Sequence, residues 1–198
     1  MLHNHFFAMM SRMKNIYRWG LMRNTRRENL SEHSLEVAQI AHALAVINRK
    51  RLNGTANPQF VATVAMYHDT SEIITGDMPT PIKYYNSEIK AAYKQIEATA
   101  EKQLLDMLPE DFKEEFNDIY NPDELTHRLV KAADKLSALI KCIEELNMGN
   151  REFMVAEKTI RKAIVDMNAP EANIFLEEFI PSFELSLDEQ RKDSNNEN

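Results

Sequence analysis

The chain has 198 residues, of which 43% are hydrophobic and 28% are charged, and its formal net charge at pH 7 is -7. This length fits one domain, the composition is that of an ordinary globular protein, and the negative charge argues against binding long nucleic acids through their phosphates. A content of only 4 Gly and 7 Pro argues against a β-rich or low-complexity chain. The abundance of helix-forming residues therefore favours an all-α fold.

No stretch of the sequence has the pattern of an export signal or a membrane span. The apolar run Phe6–Met10 is too short for the hydrophobic region of a signal peptide. No run approaches the roughly 20 apolar residues of a membrane-spanning helix. The single cysteine, Cys142, excludes an intrachain disulfide and falls in an apolar helical segment, where a small core residue is expected. We therefore expect a cytoplasmic protein.

The first predicted element is an amphipathic helix over His5–Ile16, whose apolar side carries Phe6, Met9, Met10 and Met13. Arg18 and Trp19 follow its end, where side chains can reach a cleft. Trp19 is the only tryptophan. A role as a core or dimer anchor explains it at least as well as a contact with a ligand. Before Ser31 the only acid is Glu28, and the basic residues there suit a small anion better than a polymer. They are Arg12, Lys14, Arg18, Arg23, Arg26 and Arg27.

The second predicted helix runs from Ser31, a good N-cap, to about Asn48. Its core stripe consists of Val37, Ile40, Ala41 and Leu44. His33 lies one turn before Val37 on the same stripe, so this histidine is predicted to point inward. His42 is displaced from the stripe and is interpreted as a structural or surface residue.

A third helix is predicted from Val61 through Glu72 to about Gly76. Helical spacing places His68 and Glu72 one turn apart on the face that also carries Val61, and Asp69 lies beside them. An imidazole and carboxylates buried without partners would cost several kcal/mol, so they need a partner, and a metal ion is the simplest one. The alternative is an ordinary capped or salt-bridged histidine.

The segment Gly76-Asp77-Met78-Pro79-Thr80-Pro81 follows this helix. Its two prolines fix an extended backbone and remove amide donors, so the sequence predicts a rigid wall for a binding site. Asp77 could instead only cap a turn.

Further helices are predicted over 86–108, from Pro109 in a short acidic segment, and over 126–148, 152–167 and 170–180. In the 126–148 helix, Asp134 lies on or beside the inward stripe of Val130, Ala133 and Ile140, which is unusual for a carboxylate. Pairing with Lys131, Lys135 or Lys141 is the alternative explanation. The sequence thus predicts an all-α domain of about seven helices over residues 1–187, with a polar, disordered tail over 188–198.

Three separate helices therefore each present an inward-facing ligand type: His33, the His68-Asp69 pair, and Asp134. Two imidazoles and two carboxylates suit a borderline divalent ion such as Mn, Fe, Co, Ni or Zn better than Ca or Mg. On an octahedral ion, four protein ligands leave two positions open, as a catalytic metal requires.

The order His, His-Asp, Asp on separate helices resembles the HD-domain metal-dependent phosphohydrolases, and several segments look like bacterial 5'-deoxynucleotidases of that superfamily. The likeness covers nearly the whole chain and is weakest around Asp111–Asp123 and in the tail. The matching segments are His5-Phe6-Phe7, Arg18-Trp19, Ser31-Glu32-His33-Ser34, Tyr67-His68-Asp69-Thr70-Ser71-Glu72, Gly76 through Pro81, and Lys131-Ala132-Ala133-Asp134.

The resemblance implies a metal-dependent hydrolysis of deoxyribonucleoside 5'-monophosphates to deoxynucleoside and phosphate, in a homodimer. The implied cofactor is one divalent transition metal ion, Co, Mn, Zn, Fe, Ni or Cu, with Mg less suited. The implied metal ligands are His33, His68, Asp69 and Asp134. The implied substrate contacts are Arg18, Trp19, His33, Asp69, Asp77, Met78, Pro79, Thr80 and Asp134.

Within this hypothesis, Glu72 orients or deprotonates the attacking water, or else only holds His68 from outside the ligand set. Arg18 holds the phosphate with its planar guanidinium. Trp19 packs on the sugar and leaves a 2'-hydroxyl without a hydrogen-bond partner, which predicts a preference for deoxyribose. No base-reading pocket is evident, so little base selectivity is expected.

Two alternatives remain open at this stage. Another HD-type activity, on nucleoside triphosphates, cyclic nucleotides or (p)ppGpp, would use the same ligands but needs basic residues beyond Arg18, which Arg23, Arg26 and Arg27 could supply. The other alternative is a non-catalytic nucleotide-binding module, against which the presence of Glu72 and Arg18 argues.

Overall fold

The computed structural model describes residues 4–83 and 85–193, without the side chains of residues 192 and 193. In these ranges the chain is helical between its turns, and the only β-pairing is an isolated bridge between Tyr17 and Asn29. The predicted all-α fold is confirmed. No helix in the described ranges is long and apolar enough to cross a membrane.

The chain forms more helical segments than the seven predicted, because several long predicted helices are interrupted and short connecting segments are helical. The α-helices are α1 Phe6–Met10, α2 Leu30–Arg51, α3 Pro58–Tyr67, α4 Glu72–Thr75, α5 Thr80–Lys83, α6 Ser87–Leu105, α7 Lys113–Tyr120, α8 Glu124–Asn147, α9 Met154–Asp166, α10 Pro170–Glu178 and α11 Leu187–Asp193. Short 3-10 helices cover Ser11–Asn15, Glu110–Phe112, Arg151–Phe153 and Ile180–Glu184. The predicted polar tail thus begins within α11, and residues 194–198 lie outside the described residues.

The main core lies between α2, α3 and α8. Helices α2 and α8 are the two longest of the described residues, and α3 carries the apolar run before His68. The predicted stripe of α2, from Val37 to Leu44, is buried, as are Leu136 and Ile140 on α8. Full burial of each such aliphatic side chain contributes about 1.5–3 kcal/mol. Cys142 is buried here as a free thiol, as predicted.

A smaller cluster holds the start of the chain. Phe6 is fully buried with Leu104 and Leu108, and its ring packs at 5.1 Å from Phe116 and 6.3 Å from Tyr67. The predicted first helix ends early, at Met10, and continues as the 3-10 helix Ser11–Asn15. This cluster fixes the start of the segment that leads to Arg18 and Trp19.

The start of α2 differs from the prediction by two residues. The N-cap is Asn29, not Ser31: its side-chain oxygen accepts from the amides of Ser31 at 2.9 Å and Glu32 at 3.1 Å. The Glu32 carboxylate accepts in return from the Asn29 amide at 3.1 Å, which completes a capping box. His33 therefore lies in the first turn of α2, where its amide bonds to the Asn29 carbonyl.

The predicted third helix is broken at the His-Asp pair. Helix α3 ends at Tyr67, and tight turns follow, in which the amides of Thr70 and Glu72 bond to the carbonyls of Tyr67 and Asp69 at 3.2 and 3.0 Å. Helix α4 covers Glu72–Thr75, and its C-cap is Gly76, whose φ of +73° suits glycine. The prediction that Glu72 follows His68 by one turn of a continuous helix is therefore wrong.

Helix α6 buries only part of its predicted stripe. Tyr93, Ala100 and Leu104 are buried, whereas Ile89 and Ile96 are 36% and 52% exposed. One apolar face of α6 is therefore open to solvent in the single chain.

Candidate active site

Three of the predicted ligand residues converge from different parts of the fold. His33 comes from the first turn of α2, His68 from the turn after α3, and Asp134 from the middle of α8. One ligand atom of each lies within 4.8 Å of the other two. His33 Nε2 is 3.2 Å from Asp134 Oδ1.

Asp69 lies against the same group. Its Oδ2 atom is 3.2 Å from His68 Nε2 and 3.5 Å from His33 Nε2. The turn at 68–71 makes this possible. Although His68 and Asp69 are neighbours in sequence, the turn directs both side chains toward the same point. His33, His68, Asp69 and Asp134 are called the ligand cluster below.

The hydrogen bonds of the two imidazoles fix which ring nitrogen faces the cluster. Ser137 Oγ donates to Glu36 at 2.5 Å, so this hydroxyl accepts from His33 Nδ1 at 3.1 Å. His68 Nδ1 donates to the Ala65 carbonyl at 2.7 Å. In both residues Nε2 is left to face the cluster, and both Nε2 atoms are buried without a hydrogen-bond partner among the described residues.

Two buried imidazole nitrogens directed at one point, with carboxylate oxygens beside them, are the donor atoms of a divalent transition metal site. The residues present thus fit a metal ion on their own geometry. The carbonyl and Ser137–Glu36 contacts behind the rings are the outer contacts that such ligands need to keep their orientation.

The charges of the ligand cluster shift the pKa values of its members in opposite directions. Burial disfavours protonation of His68, but the carboxylates of Asp69 and Asp134 outweigh it and raise the His68 pKa to about 9. Burial also opposes ionisation of Asp134, yet His33 and Arg18 lower its pKa to about 2. The pKa of Asp69 is lowered as well, chiefly by His68 and Arg18 against the effect of burial. Without a metal, the cluster therefore retains a proton on His68.

Glu72 is a second buried acid near the cluster. It is 5% exposed, and its Oε2 atom has no hydrogen-bond partner within the described ranges. Burial, followed by the negative charges of Asp69 and Asp77, raises its pKa to about 9. Glu72 therefore carries a proton at neutral pH in the metal-free protein.

Arg18 spans the two aspartates of the cluster. Its Nη1 donates to Asp69 Oδ2 at 3.1 Å, and its Nη2 lies 3.7 Å from Asp134 Oδ1. The guanidinium thus lies directly beside the ligand cluster, and its pKa is raised by the surrounding carboxylates in spite of burial.

A cavity of about 510 Å³ opens from Asp134 and Arg18 toward solvent. It contains the predicted substrate residues Trp19, Asp77, Met78, Pro79 and Thr80, the last of which is exposed. The segment after α4 thus forms one wall of this cavity, but its extended part is shorter than predicted, because Thr80 and Pro81 already belong to α5. A pocket of this size accommodates a small-molecule ligand.

Sequence reasoning missed the opposite wall of the cavity. Helix α9 contributes Val155, Ala156, Thr159 and Ile160, and α8 contributes Lys135 and Ala138. Val155 is 75% exposed, and no motif marks these residues in the sequence. Their role follows only from the packing of α9 on α8, which the pattern of apolar residues does not specify.

Arg23, Arg26 and Arg27 do not line this cavity. Arg23 Nε bonds to Glu152 at 2.9 Å, Arg26 Nη2 lies 3.7 Å from Glu32, and Arg27 lies over the Tyr17 ring at 5.4 Å. Among the described residues of the cavity wall, the basic side chains are Arg18 and Lys135. Arg23, Arg26 and Arg27 thus each contact another side chain outside this cavity, whereas Arg18 of the same basic stretch lies in its wall.

The loop between Trp19 and α2 is anchored to α8 by one buried carboxylate. Glu145 accepts from the amide and hydroxyl of Thr25, the amide of Arg26 and the side chains of Asn150 and Lys141. These contacts outweigh the effect of burial and lower the Glu145 pKa to about 2. Sequence analysis did not single out Glu145, since an acid near a helix end usually faces solvent.

A second cavity, of about 320 Å³, reaches the ligand cluster from another direction. His68 and Asp134 lie on its wall, together with Tyr120, His127 and Lys131. Lys131 is exposed, and the charged groups within 4 Å of the Asp134 carboxylate among the described residues are Arg18 and His33, so the ion pair with Lys131 that the sequence offered as an alternative is not formed.

Comparisons with known proteins give a consistent result. The family described as 5'-deoxynucleotidase YfbR-like matches residues 5–183. A 5'-deoxynucleotidase of Vibrio parahaemolyticus is 53% identical over 192 residues, which cover 96% of this chain and 99% of the relative. An HD-domain phosphohydrolase structure from Listeria innocua has a TM-score of 0.78 at 22% identity, covering 90% of this chain and 88% of its own.

An HD phosphohydrolase of cyanophage S-2L, in a structure bound to dA and one catalytic zinc ion, has a TM-score of 0.51 at 21% identity. The likeness covers 78% of this chain and 96% of the phage chain. The two solved structures confirm the predicted HD-domain fold.

Proposed function

The chain belongs to the YfbR-like 5'-deoxynucleotidase family, and on this premise we propose that it hydrolyses deoxyribonucleoside 5'-monophosphates to deoxynucleoside and phosphate in a metal-dependent reaction. The observation that carries this proposal is the pair of buried, unpartnered Nε2 atoms of His33 and His68, which face Asp134 at the end of a cavity that also holds Arg18. A nucleotide in this cavity has room for its sugar and base while its phosphate reaches the ligand cluster.

One divalent transition metal ion is the cofactor of this proposal, held by His33, His68, Asp69 and Asp134. When bound, it supplies a Lewis acid for the phosphoryl group and lowers the pKa of a coordinated water. Mixed nitrogen and oxygen donors favour Co, Mn, Zn, Fe, Ni or Cu over Mg.

Arg18 binds the phosphate of the substrate. Its guanidinium already lies between the two aspartates of the cluster, so a phosphate oxygen that enters there meets a planar donor fork. The charge that develops on the phosphoryl oxygens in the transition state is then partly neutralised by a guanidinium that already lies next to the ligand cluster.

Glu72 handles the proton of the attacking water. Its carboxyl is buried beside Asp69 and Asp77, and it has a free oxygen. The Glu72 pKa would return toward the acid range if a bound dication compensated the negative charges of Asp69 and Asp77, and the Glu72 carboxylate would then orient the water or accept its proton.

The sugar packs against Trp19, and this contact determines the preference for deoxyribose. A 2'-hydroxyl placed against the indole would lose its hydrogen bond to water without gaining another, at a cost of about 1–3 kcal/mol, or roughly 5- to 150-fold in selectivity. The opposite wall offers Val155, Ala156 and Ile160 to the base. These three side chains have no groups that distinguish base edges, which supports low base selectivity; Thr159 and Lys135 are hydrogen-bonding side chains on the same wall.

The alternative with more highly phosphorylated substrates has less support. It needs several basic side chains in the cavity, whereas the described basic residues of its wall are Arg18 and Lys135, and Arg23, Arg26 and Arg27 lie outside it. A non-catalytic module has no need of the buried Glu72 next to the ligand cluster.

A substrate panel tests the proposal. Metal-stripped protein is reloaded with Mn or Co, and phosphate release is measured from dAMP, AMP and dATP. Release from dAMP that exceeds release from AMP and dATP at least fivefold supports the proposal. Faster turnover of dATP would favour the alternative, and substrate binding without turnover would favour the non-catalytic module.

We also propose that a second copy of the chain covers the open face of α6, as in the homodimer implied by the resemblance. Ile96 and Ala92 line a shallow groove with Ile74, and Ile74 and Ile96 are 41% and 52% exposed. Light scattering should give a dimer for the wild type and a monomer for Ile96→Glu. Val165→Glu, at an equally exposed position of α9, is the matched control and should stay dimeric, whereas a monomeric wild type would contradict the proposal.

The lone cysteine fits a cytoplasmic location.

A further inference from the structure

Glu28 lies at the junction of three groups to which the proposed function assigns different tasks. We infer that Glu28 is a positioning residue. It fixes Trp19, which packs on the sugar, relative to Arg18, which binds the phosphate, and His33, which binds the metal. The inference rests on the proposed function and assigns Glu28 no chemical step of its own.

The first observation is that the two carboxylate oxygens of Glu28 contact different residues. Oε2 accepts a hydrogen bond from Trp19 Nε1 at 3.0 Å and lies 3.6 Å from Arg18 Nε. Oε1 lies 3.6 Å from His33 Nδ1, the nitrogen that faces away from the ligand cluster. The Glu28 side chain is only 13% exposed, so these contacts are shielded from water.

The second observation is that the backbone of Glu28 holds the same segment. The Glu28 carbonyl accepts from the Arg18 amide at 3.0 Å, next to the bridge between Tyr17 and Asn29. The stretches on either side of the loop are therefore paired, and Glu28 enters this pairing through its main chain and its side chain together.

The third observation is the strained backbone of Trp19. Its φ of +60° lies in the left-handed region, which is unfavourable for a large L-residue and is retained only where the surroundings impose it. The indole contacts the ring of the buried Phe153 at a centroid distance of 5.4 Å. The Glu28 bond fixes the polar edge of the same ring, so the two contacts together define the plane of the indole in the cavity.

These contacts make a specific demand on residue 28. A glutamine there has one acceptor oxygen and an NH2 group, and that NH2 group would face donors at Trp19, Arg18 or His33. Glu28→Gln should therefore loosen the indole and the guanidinium. It should leave the metal site in place, because His33 Nδ1 keeps its bond to Ser137.

The test uses the fact that Trp19 is the only tryptophan of the chain. In the metal-free full-length protein, where no turnover occurs, acrylamide quenching of its fluorescence is measured, and the same signal is used to titrate dAMP and AMP. Glu28→Gln should raise the quenching constant at least twofold and narrow the ratio of the dAMP and AMP dissociation constants at least threefold. Mn affinity should change by less than twofold.

Glu144→Gln is the matched control. Glu144 is exposed and lines the same small polar cavity as Glu28. The substitution should leave the quenching constant and the ratio of the dAMP and AMP dissociation constants as in the wild type. If Glu28→Gln does not fold, Glu28→Asp keeps the charge but withdraws it from the indole, and the same two changes are expected.

An unchanged affinity ratio in a folded Glu28 variant would overturn the inference, even if its melting temperature fell, because a purely structural role would lower stability and leave selectivity alone. Failure of the proposed function would show differently, as no phosphate release from dAMP by metal-loaded wild type. The quenching and binding measurements would still decide the role of Glu28.

Discussion

Metal binding to the ligand cluster should displace a proton from His68, so the metal affinity should rise with pH between 7 and 9. Burial of the imidazole opposes its protonation, but Asp69 and Asp134 raise the His68 pKa to about 9. His68 Nδ1 is committed to the Ala65 carbonyl, so the extra proton is on Nε2, the atom that a metal must contact. A metal ion binds the neutral ring, and this proton must leave first.

The size of the effect follows from the His68 pKa. At pH 7, two units below a pKa of about 9, roughly one site in a hundred has a neutral His68, and each further pH unit raises this fraction about tenfold until the pKa is reached. In Glu72→Gln, where His68 is the group that releases a proton, the apparent affinity should therefore increase about tenfold from pH 7 to pH 8, which equals about 1.4 kcal/mol, and level off near pH 9.

The same shift has a consequence for stability, with a definite sign. The folded-state pKa of His68 lies above its ordinary value of 6.5. The protonated imidazole thus stabilises the metal-free protein fully below about pH 6.5, and this contribution is lost as the pH rises through 9. The increase in melting temperature on metal addition should accordingly grow from pH 6.5 to pH 9.

Calorimetric titration of Mn into metal-free protein at pH 7.5, in two buffers of different ionisation enthalpy, gives the number of protons released. Glu72, whose pKa is also about 9, can contribute a second proton, so the measurement is made in Glu72→Gln, where His68 acts alone. His42→Gln, at an exposed position of α2, is the control. We expect release of about one proton per metal. No proton release, or equal affinity at pH 7 and 8, would refute the reasoning.

Three further substitutions test the proposed roles. Glu72→Gln should keep metal content and dAMP binding but lower the turnover rate about 10²- to 10⁴-fold, in phosphate-release assays on metal-loaded protein; unchanged turnover would remove Glu72 from the reaction. Trp19→Ala should bring the dAMP to AMP ratio of kcat/KM close to one, and a preserved ratio would mean that the sugar is recognised elsewhere. Ser137→Ala should weaken metal affinity about 10- to 100-fold, because His33 loses its orienting partner. Ser34→Ala is its control, since the buried Ser34 hydroxyl has no hydrogen-bond partner among the described residues.

The sequence predicted the fold class and the main core well, for a physical reason. Apolar residues repeat with helical spacing along α2 and α8, so the polar exceptions on those stripes, His33 and Asp134, stand out as inward-facing groups. The structure brings both to one point because α2 and α8 pack against each other.

Local geometry at the His-Asp pair could not be predicted in the same way. The periodicity of Val61, Val64 and Ala65 continues formally through His68 to Glu72, but the helix stops at Tyr67. The turn that follows is stabilised by tertiary contacts, such as the bond between the hydroxyls of Thr70 and Tyr120. A pattern within one segment carries no information about a partner 50 residues away.

The remaining errors have related causes. Ser31 is a good N-cap by residue type, but Asn29 lies where the Glu32 carboxylate can complete a capping box. Ile89 and Ile96 of the α6 stripe stay exposed because the described helices that pack on α6 bury Tyr93, Ala100 and Leu104 instead. The roles of Glu28 and of the α9 wall depend on contacts between distant segments, and residue type alone did not mark them.

The central claim is that one metal ion, bound by the ligand cluster, drives phosphate release from a deoxyribonucleoside monophosphate. The most direct measurement is a titration of metal-stripped protein with Co, in which dAMP hydrolysis is followed against the molar ratio of metal to chain. We predict no hydrolysis without metal and a linear rise that ends at one metal per chain. Full activity in the metal-stripped protein, or a break at two metals per chain, would contradict the claim.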